Sequence, residues 1–332
     1  MQQQPMQQAP TAQADPASVE AFKERFDAVH ANVSRAIMGK PGEIQLALTC
    51  MLAEGHLLVD DVPGTGKTTL AKAIAASLGS SFHRIQFTPD LLPTDVTGSM
   101  IYNAKDGDFT FHPGGVFANV VLADEINRAS PKTQSALLEV MEERTVTIDS
   151  VTHEVPRPFV VIATQNPVEF DGTYHLPEAQ IDRFMMRMSM GYPSHEAEVE
   201  SIMSRLAGHR PEELTPAITA ETFEWMIDTA RGIHVAEMLQ QYAVTIAAST
   251  RRMDELRLGV SPRGSLALVR ASQAWAAAKG RNFVTADDMR ELAPFIFGHR
   301  MLLSPEAELQ GLTAADLVRQ TLDAVPLPDI RL

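Results

Sequence analysis

Cysteine is nearly absent from this chain: Cys50 is the single one in 332 residues. One thiol closes no intrachain disulfide and supplies no cysteine-based zinc site, so neither staple holds the fold. Also missing is any run of roughly 18 apolar residues, the length a membrane-crossing helix requires. Basic residues are in deficit, 28 Lys and Arg against 42 Asp and Glu, which leaves a formal net charge of −14. Coating nucleic acid takes clustered Lys and Arg, so this balance argues against it while leaving room for a local contact in a pore or loop. No two histidines fall three or four residues apart, the spacing of a helical metal pair, and no repeat of fixed period is visible. Met1 to Ala14 is rich in Gln and Pro and has neither a basic residue nor an apolar core. The segment 1–14 therefore reads as a disordered tail and not a signal peptide, and the expected location is cytoplasmic.

What is present is an ordinary soluble composition, 45% hydrophobic and 21% charged, in a chain long enough for two domains. Asp15-Pro16 looks like an N-cap with proline at the first helical position, and Val19, Phe22, Phe26, Val29 and Val33 follow as one apolar stripe. Short apolar runs at His56–Asp60, Phe82–Phe87, Val120–Ala123 and Phe159–Thr164 read as buried strands. They alternate with helical patterns at Lys67–Leu78 and Pro131–Glu143, the second capped by Ser130. Strands alternating with helices imply a parallel sheet covered by helices. After Pro193 the periodicity is helical, with no convincing strand. The expected architecture is an α/β domain over 15–192 and a smaller all-helical domain over 193–332.

The strongest chemical signal is Asp61-Val62-Pro63-Gly64-Thr65-Gly66-Lys67-Thr68-Thr69, directly after the first strand. A glycine-rich loop brings several backbone N–H groups onto one phosphate chain, and the following helix adds the positive end of its dipole. Lys67 would reach the β- and γ-phosphates, and the Thr68 hydroxyl would ligate Mg²⁺. The pattern departs from standard at Asp61, where a glycine is usual. Val120-Val121-Leu122-Ala123-Asp124-Glu125 then ends an apolar strand in two carboxylates. Asp124 is the candidate for the Mg²⁺ shell and Glu125 for the group that orients or deprotonates attacking water. Asn166, closing the next buried strand, could hold that water. Arg183 and Arg263 have the planar, permanently charged group that suits a transferring phosphoryl, although spacing alone would leave both as surface arginines. Met186, Met188 and Met190 alternate as in a half-buried strand, and Val146 to Val151 suggests a β-hairpin.

Four stretches carry a resemblance beyond these local signals: Gln86 to Asp95 (QFTPDLLPTD), Phe117 to Ala129 (FANVVLADEINRA), Pro131 to Gln134 (PKTQ) and Leu176 to Phe184 (LPEAQIDRF). With the phosphate loop, they resemble an AAA+ ATPase, and within that class the MoxR family, from about Phe22 to the C-terminus. The resemblance implies a P-loop parallel-sheet domain with a helical lid, and hydrolysis of ATP with Mg²⁺. Asn166 matches the sensor-1 position. Arg183 matches the arginine finger that acts on ATP in a neighbouring subunit, and Arg263 matches sensor 2 in the lid. The family resembles chaperone-like remodellers of protein clients. Its members form rings, usually hexamers, and often act with a von Willebrand factor A domain protein in assembly, maturation or metal insertion. His112-Pro113-Gly114-Gly115 stands where a shorter Gly-Pro turn is usual. Two other functions fit the same core: a nucleic-acid motor or loader, disfavoured by the acidic balance, and a binding scaffold with little turnover. Glu125, Asn166 and Arg183 together argue against the scaffold, which needs only the phosphate loop.

Overall fold

The computed structural model describes residues 14–105, 107–166, 173–208 and 214–328; apart from Ala14, the tail expected at 1–14 lies outside them. In chain order the sheet-bearing part runs α1 (Pro16–Ser34), α2 (Pro41–Leu52), β1 (Leu57–Asp60), α3 (Lys67–Ser77), β2 (Phe82–Gln86), α4 (Pro93–Thr97), β3 (Gly98–Asn103), β4 (Asp108–Pro113), β5 (Val120–Asp124), α5 (Pro131–Glu143), β6 (Thr145–Ile148), β7 (Val151–Glu154), β8 (Val160–Gln165), α6 (Glu178–Ile181) and β9 (Met186–Met188). There follow α7 (His195–Leu206), α8 (Ala220–Arg231), α9 (Glu237–Thr250), β10 (Leu256–Leu258), α10 (Pro262–Ala278), α11 (Ala286–Phe297), β11 (Leu302–Leu303), α12 (Pro305–Leu309) and α13 (Ala314–Ala324).

The local signals act as the sequence suggests. The Asp15 carboxylate accepts the Ser18 N–H at 2.9 Å to cap α1, and its five stripe residues are buried. Ser130 caps α5 through the Thr133 N–H. β5 and β8 are buried on both faces, which is why they read as unbroken apolar runs without alternation. The main sheet has the order β2-β5-β8-β1-β9, and every pairing is parallel. Its register sets Gln86 beside Asp124 and Asp60 beside Gln165, so the carboxyl ends of four strands line up along one edge. One face packs under α1, α2, α3 and the C-terminal helices in a single continuous core, the other under α4 and α5.

Three features depart from the expectation. The C-terminal region is not all-helical, because β10 and β11 form a short antiparallel pair. These strands are only three and two residues long, too short to leave a periodic trace. The β3–β4 hairpin and helix α2 also went unread. The hairpin's base depends on close backbone approach. A Cβ on Gly114 would lie 2.3 Å from the Val96 carbonyl oxygen, and one on Gly98 would lie 2.5 Å from that of His112. The Pro-Gly-Gly run is thus a packing requirement. The hairpin expected near Val146 is present as β6–β7, turning through Asp149 and Ser150, both at positive φ.

His56 shows how tightly the sheet is tied down. It is buried, its Nδ1 accepts the Val161 N–H at 3.0 Å, and its Nε2–H donates to the Met141 carbonyl at 3.1 Å. Burial pushes its pKa down to about 4 from 6.5. Above pH 6.5 both folded and unfolded chains hold it neutral. Below that the unfolded chain binds a proton the folded one refuses, so stability falls as pH drops toward about 4. The loss amounts to about 3 kcal/mol at 1.36 kcal/mol per unit. Urea unfolding of a His56→Gln variant should give lower stability at pH 7.5 but a flatter decline between pH 6.5 and 4. The residual slope includes the contribution of the buried His299, which burial also holds neutral. A slope as steep as wild type would remove His56 from this role.

Candidate active site

The glycine-rich loop leaves β1 and turns through Gly64 and Gly66, both in the left-handed region at φ +89° and +93°. Gly66 is the N-cap of α3 and offers no side chain to cap it, so the first amides of the helix are left for a ligand. Lys67 Nζ donates to the carbonyls of Asp61 at 2.6 Å and Val62 at 2.9 Å, which curls the side chain along its own loop. Burial pulls its pKa down, and the nearby carboxylates of Asp61, Asp124, Glu125 and Asp60 oppose that pull. Asp61 itself faces away from the loop's mouth. Its buried carboxylate accepts the N–H of Val62 at 2.8 Å and of Gly191 at 2.6 Å, and the Ser189 hydroxyl at 3.3 Å. The departure from glycine is therefore a latch between the loop and the segment after β9. Removing it leaves the partly buried Gly191 N–H without this acceptor, at a cost of about 1 kcal/mol. Asp61→Ala should lower the urea-unfolding free energy by that amount while changing affinity for nucleotide less than about tenfold (under about 1.4 kcal/mol). A larger loss of affinity with unchanged stability would contradict the latch.

The two carboxylates at the end of β5 are held by three neighbouring strands and turns. Thr164 on β8, fully buried, donates its hydroxyl to Asp124 Oδ1 at 2.7 Å and accepts the Glu125 N–H at 2.9 Å. Arg84 on β2 pairs with Asp124 Oδ2 through Nε at 3.0 Å and Nη2 at 2.5 Å. Glu125 sits at φ +56°, a left-handed conformation unfavourable for a residue with a Cβ. Its Oε2 accepts from Gln86 at 2.9 Å and from Arg128 at 3.1 Å. Backbone strain at an acidic residue with two polar tethers marks a position where side-chain aim matters more than comfort.

These elements close around a cavity of about 350 Å³ lined by the loop (Pro63, Gly64, Gly66, Lys67, Thr68, Thr69), Asp124, Glu125, Thr164, Gln165, Asn166 and Arg205. Thr65 is buried at the loop's base, its hydroxyl donating to the Val62 carbonyl at 3.2 Å. A hydroxyl and a carboxylate facing one cavity are hard oxygen donors. They suit Mg²⁺, which is ordinarily held by one or two carboxylates together with substrate phosphates. No cluster of three or more His, Cys, Asp or Glu able to cage a metal occurs among the described residues.

The arginines lie elsewhere. Arg183 and Arg263 converge on one carboxylate, Glu142 at the end of α5, Arg183 at 3.1 Å and Arg263 in a still closer pair. Neither lines the phosphate cavity of its own chain. Arg263 lies at the start of α10, which meets the turn after α6 through the Ser261–Asp182 hydrogen bonds. The cavity's own arginine is Arg205, in the last turn of α7. Nothing in its sequence context distinguished it from a surface residue. Arg84, Gln86 and Thr164 were also missed, although a threonine inside the apolar run of β8 is a readable signal, since a buried hydroxyl needs a partner.

The chain is similar to known proteins over most of its length. Residues 56–186 match the ATPase family associated with various cellular activities (AAA), and residues 248–321 match the AAA lid domain. The chain is 49% identical to YeaC of Bacillus subtilis over 90% of its own length and 93% of that protein. It is 39% identical to Chaperone MoxR1 of Mycobacterium tuberculosis, over 90% of this chain and 81% of the relative. It is also 31% identical to Protein MoxR of Methylorubrum extorquens over 89% and 93%. A crystal structure of a protein proposed to be an ATPase, from Cytophaga hutchinsonii, superposes with a TM-score of 0.88 at 35% identity, covering 94% of this chain and 98% of that one. Fold and site define an AAA ATPase with its lid. The chain belongs to the MoxR family of AAA+ ATPases and hydrolyses ATP.

Proposed function

We propose that this ATPase is a chaperone-like remodeller of protein clients that works as a ring, with each catalytic site completed by a neighbouring copy. The carrying observation is the convergence of Lys67, Thr68, Asp124, Glu125 and Asn166 on one cavity, with the arginine pair outside it. In this reading the loop amides and Lys67 bind the phosphates. Thr68 and Asp124 hold Mg²⁺, which neutralises charge on the phosphate oxygens. Glu125 orients and deprotonates the attacking water, with Asn166 holding that water from the other side. The base and ribose occupy the adjoining groove of about 790 Å³ between α1 and α7, which shares Thr69 and Arg205 with the phosphate cavity.

Arg183 and Arg263 supply positive charge to the next subunit's γ-phosphate. That arrangement suits a ring, and a hexamer is the expected size. A von Willebrand factor A domain protein is the proposed partner and the cytoplasm the proposed compartment; no helix of the described residues is long and apolar enough to cross a membrane. A protein client is favoured over nucleic acid by the β3–β4 hairpin, whose exposed Ile101, Tyr102 and Phe109 are apolar where a nucleic-acid contact would be basic.

Lys67→Ala should abolish binding of a fluorescent ATP analogue, because Lys67 contacts phosphates in the ground state. Glu125→Gln should bind normally and lose turnover, since Glu125 acts on water only on the way to the transition state. Normal hydrolysis by Glu125→Gln would reverse the assignment of the acidic pair.

Assembly has its own test. A finger supplied by a neighbour is worth roughly 10³–10⁵ in rate, so specific activity should rise with protein concentration and level off. Mixing Arg183→Ala with Lys67→Ala, each inactive alone, should restore part of the activity. No recovery, or flat activity across dilution with the subunit confirmed as a monomer, would overturn the shared site.

A further inference from the structure

Next to Arg183 stands Asp182, and its carboxylate makes no contact with the phosphate cavity. It is engaged by two residues of the C-terminal region. The Ser261 hydroxyl donates to Oδ1 at 3.1 Å and Oδ2 at 3.0 Å, and Arg300 Nε donates to Oδ1 at 2.7 Å. Ser261 occupies the N-cap of α10, directly ahead of Pro262 and Arg263, yet makes no capping hydrogen bond to its own helix. A serine there normally stabilises its helix through that bond. Here the hydroxyl reaches across to the segment that carries Arg183.

Arg300 is more committed still. Its side chain is 2% exposed. Four of its five N–H donors go to the four-residue stretch around Arg183: the Asp182 carboxylate, the Asp182 carbonyl at 3.1 Å, the Phe184 carbonyl at 2.8 Å and the Met185 carbonyl at 3.2 Å. Nη1 also binds the Ile296 carbonyl and lies 2.8 Å from His299 Nε2. Its aliphatic stem passes over Gly264, where an added Cβ would lie 3.0 Å from Arg300 Cδ. Burying a guanidinium is costly unless its donors are matched, and three of this one's contacts go to backbone carbonyls on either side of Arg183. Glu142, accepting from both Arg183 and Arg263, completes the junction.

We propose that Asp182, Ser261 and Arg300 are positioning residues that lock Arg183 to the start of α10, so that Arg183 and Arg263 reach the neighbouring subunit as one rigid pair. The inference rests on the reading that Arg183 acts across a subunit boundary. Loosening the lock leaves the chain's own cavity intact and misaims the arginines it offers to the next. Misplacement by about 1 Å of a group that stabilises a transition state costs about 10²-fold in rate.

The test measures steady-state ATP hydrolysis by the full-length chain carrying Asp182→Asn or Arg300→Lys. Ser261→Ala serves as a milder variant that leaves the buried charges paired. Turnover should fall by up to about 10²-fold for the first two. KM for ATP should stay within roughly threefold, because the donor's own pocket is untouched. Each slow variant should regain activity when mixed with Lys67→Ala, which supplies an intact arginine pair, and should gain nothing when mixed with Arg183→Ala. A general loss of folding would not discriminate between those two mixing partners. Wild-type turnover in all three variants, a defect confined to KM, or rescue by both partners or by neither would overturn the proposal. If Arg183→Ala and Lys67→Ala themselves fail to complement, the shared-site reading has failed first; if they complement and Asp182→Asn with Lys67→Ala does not, the positioning role alone is wrong.

Discussion

Two carboxylates side by side at the end of a buried strand are the constraint around which this molecule is arranged. Asp124 and Glu125 would repel each other and drift if left to solvent, and both must point into one small cavity. The parallel sheet solves the problem by bringing the ends of β2 and β8 against β5. From one side come Arg84 and Gln86, from the other Thr164, whose hydroxyl serves both residues. Glu125 is turned through a left-handed backbone to separate its carboxylate from that of Asp124. The strand order, the burial of β8 and the presence of a threonine in an apolar run all follow from that requirement.

Legibility in the sequence tracks the range of each interaction. The glycine-rich loop, the acidic pair and the caps at Asp15 and Ser130 are local, and their spacing alone disclosed them. So did the apolar runs of β1, β5 and β8, because strands covered on both faces need continuous hydrophobicity. Arg84, Arg205 and Arg300 were invisible for the opposite reason. A charged residue in a strand, a helix end or a 3₁₀ turn has no signature until the fold brings its partner up. Asp61 was visible as an anomaly, but its explanation lies in the segment after β9, well over 100 residues away in the chain. The short β10–β11 pair fell below the length at which alternation can be read.

In the proposed ring, the arginines divide the molecule into a receiving face and an offering face. On the receiving face lies the cavity lined by Lys67, Thr68, Asp124, Glu125 and Asn166, with Arg205 at its rim. On the offering face Arg183 and Arg263 wait on Glu142, braced from beneath by Asp182, Ser261 and Arg300. An acidic residue between two arginines stops them repelling each other and keeps their donors satisfied while no phosphate is present. The bracing ties the turn after α6 to the start of α10 and to Arg300.

The direct measurement is a structure of the assembled Glu125→Gln variant with ATP and Mg²⁺ bound, determined by electron cryomicroscopy. The account predicts that Arg183 and Arg263 will have left Glu142 together and will lie within hydrogen-bonding distance of the γ-phosphate held by the adjacent subunit's Lys67. Arginines still paired to Glu142 in an ATP-loaded assembly, or folded into the cavity of their own chain, would contradict it.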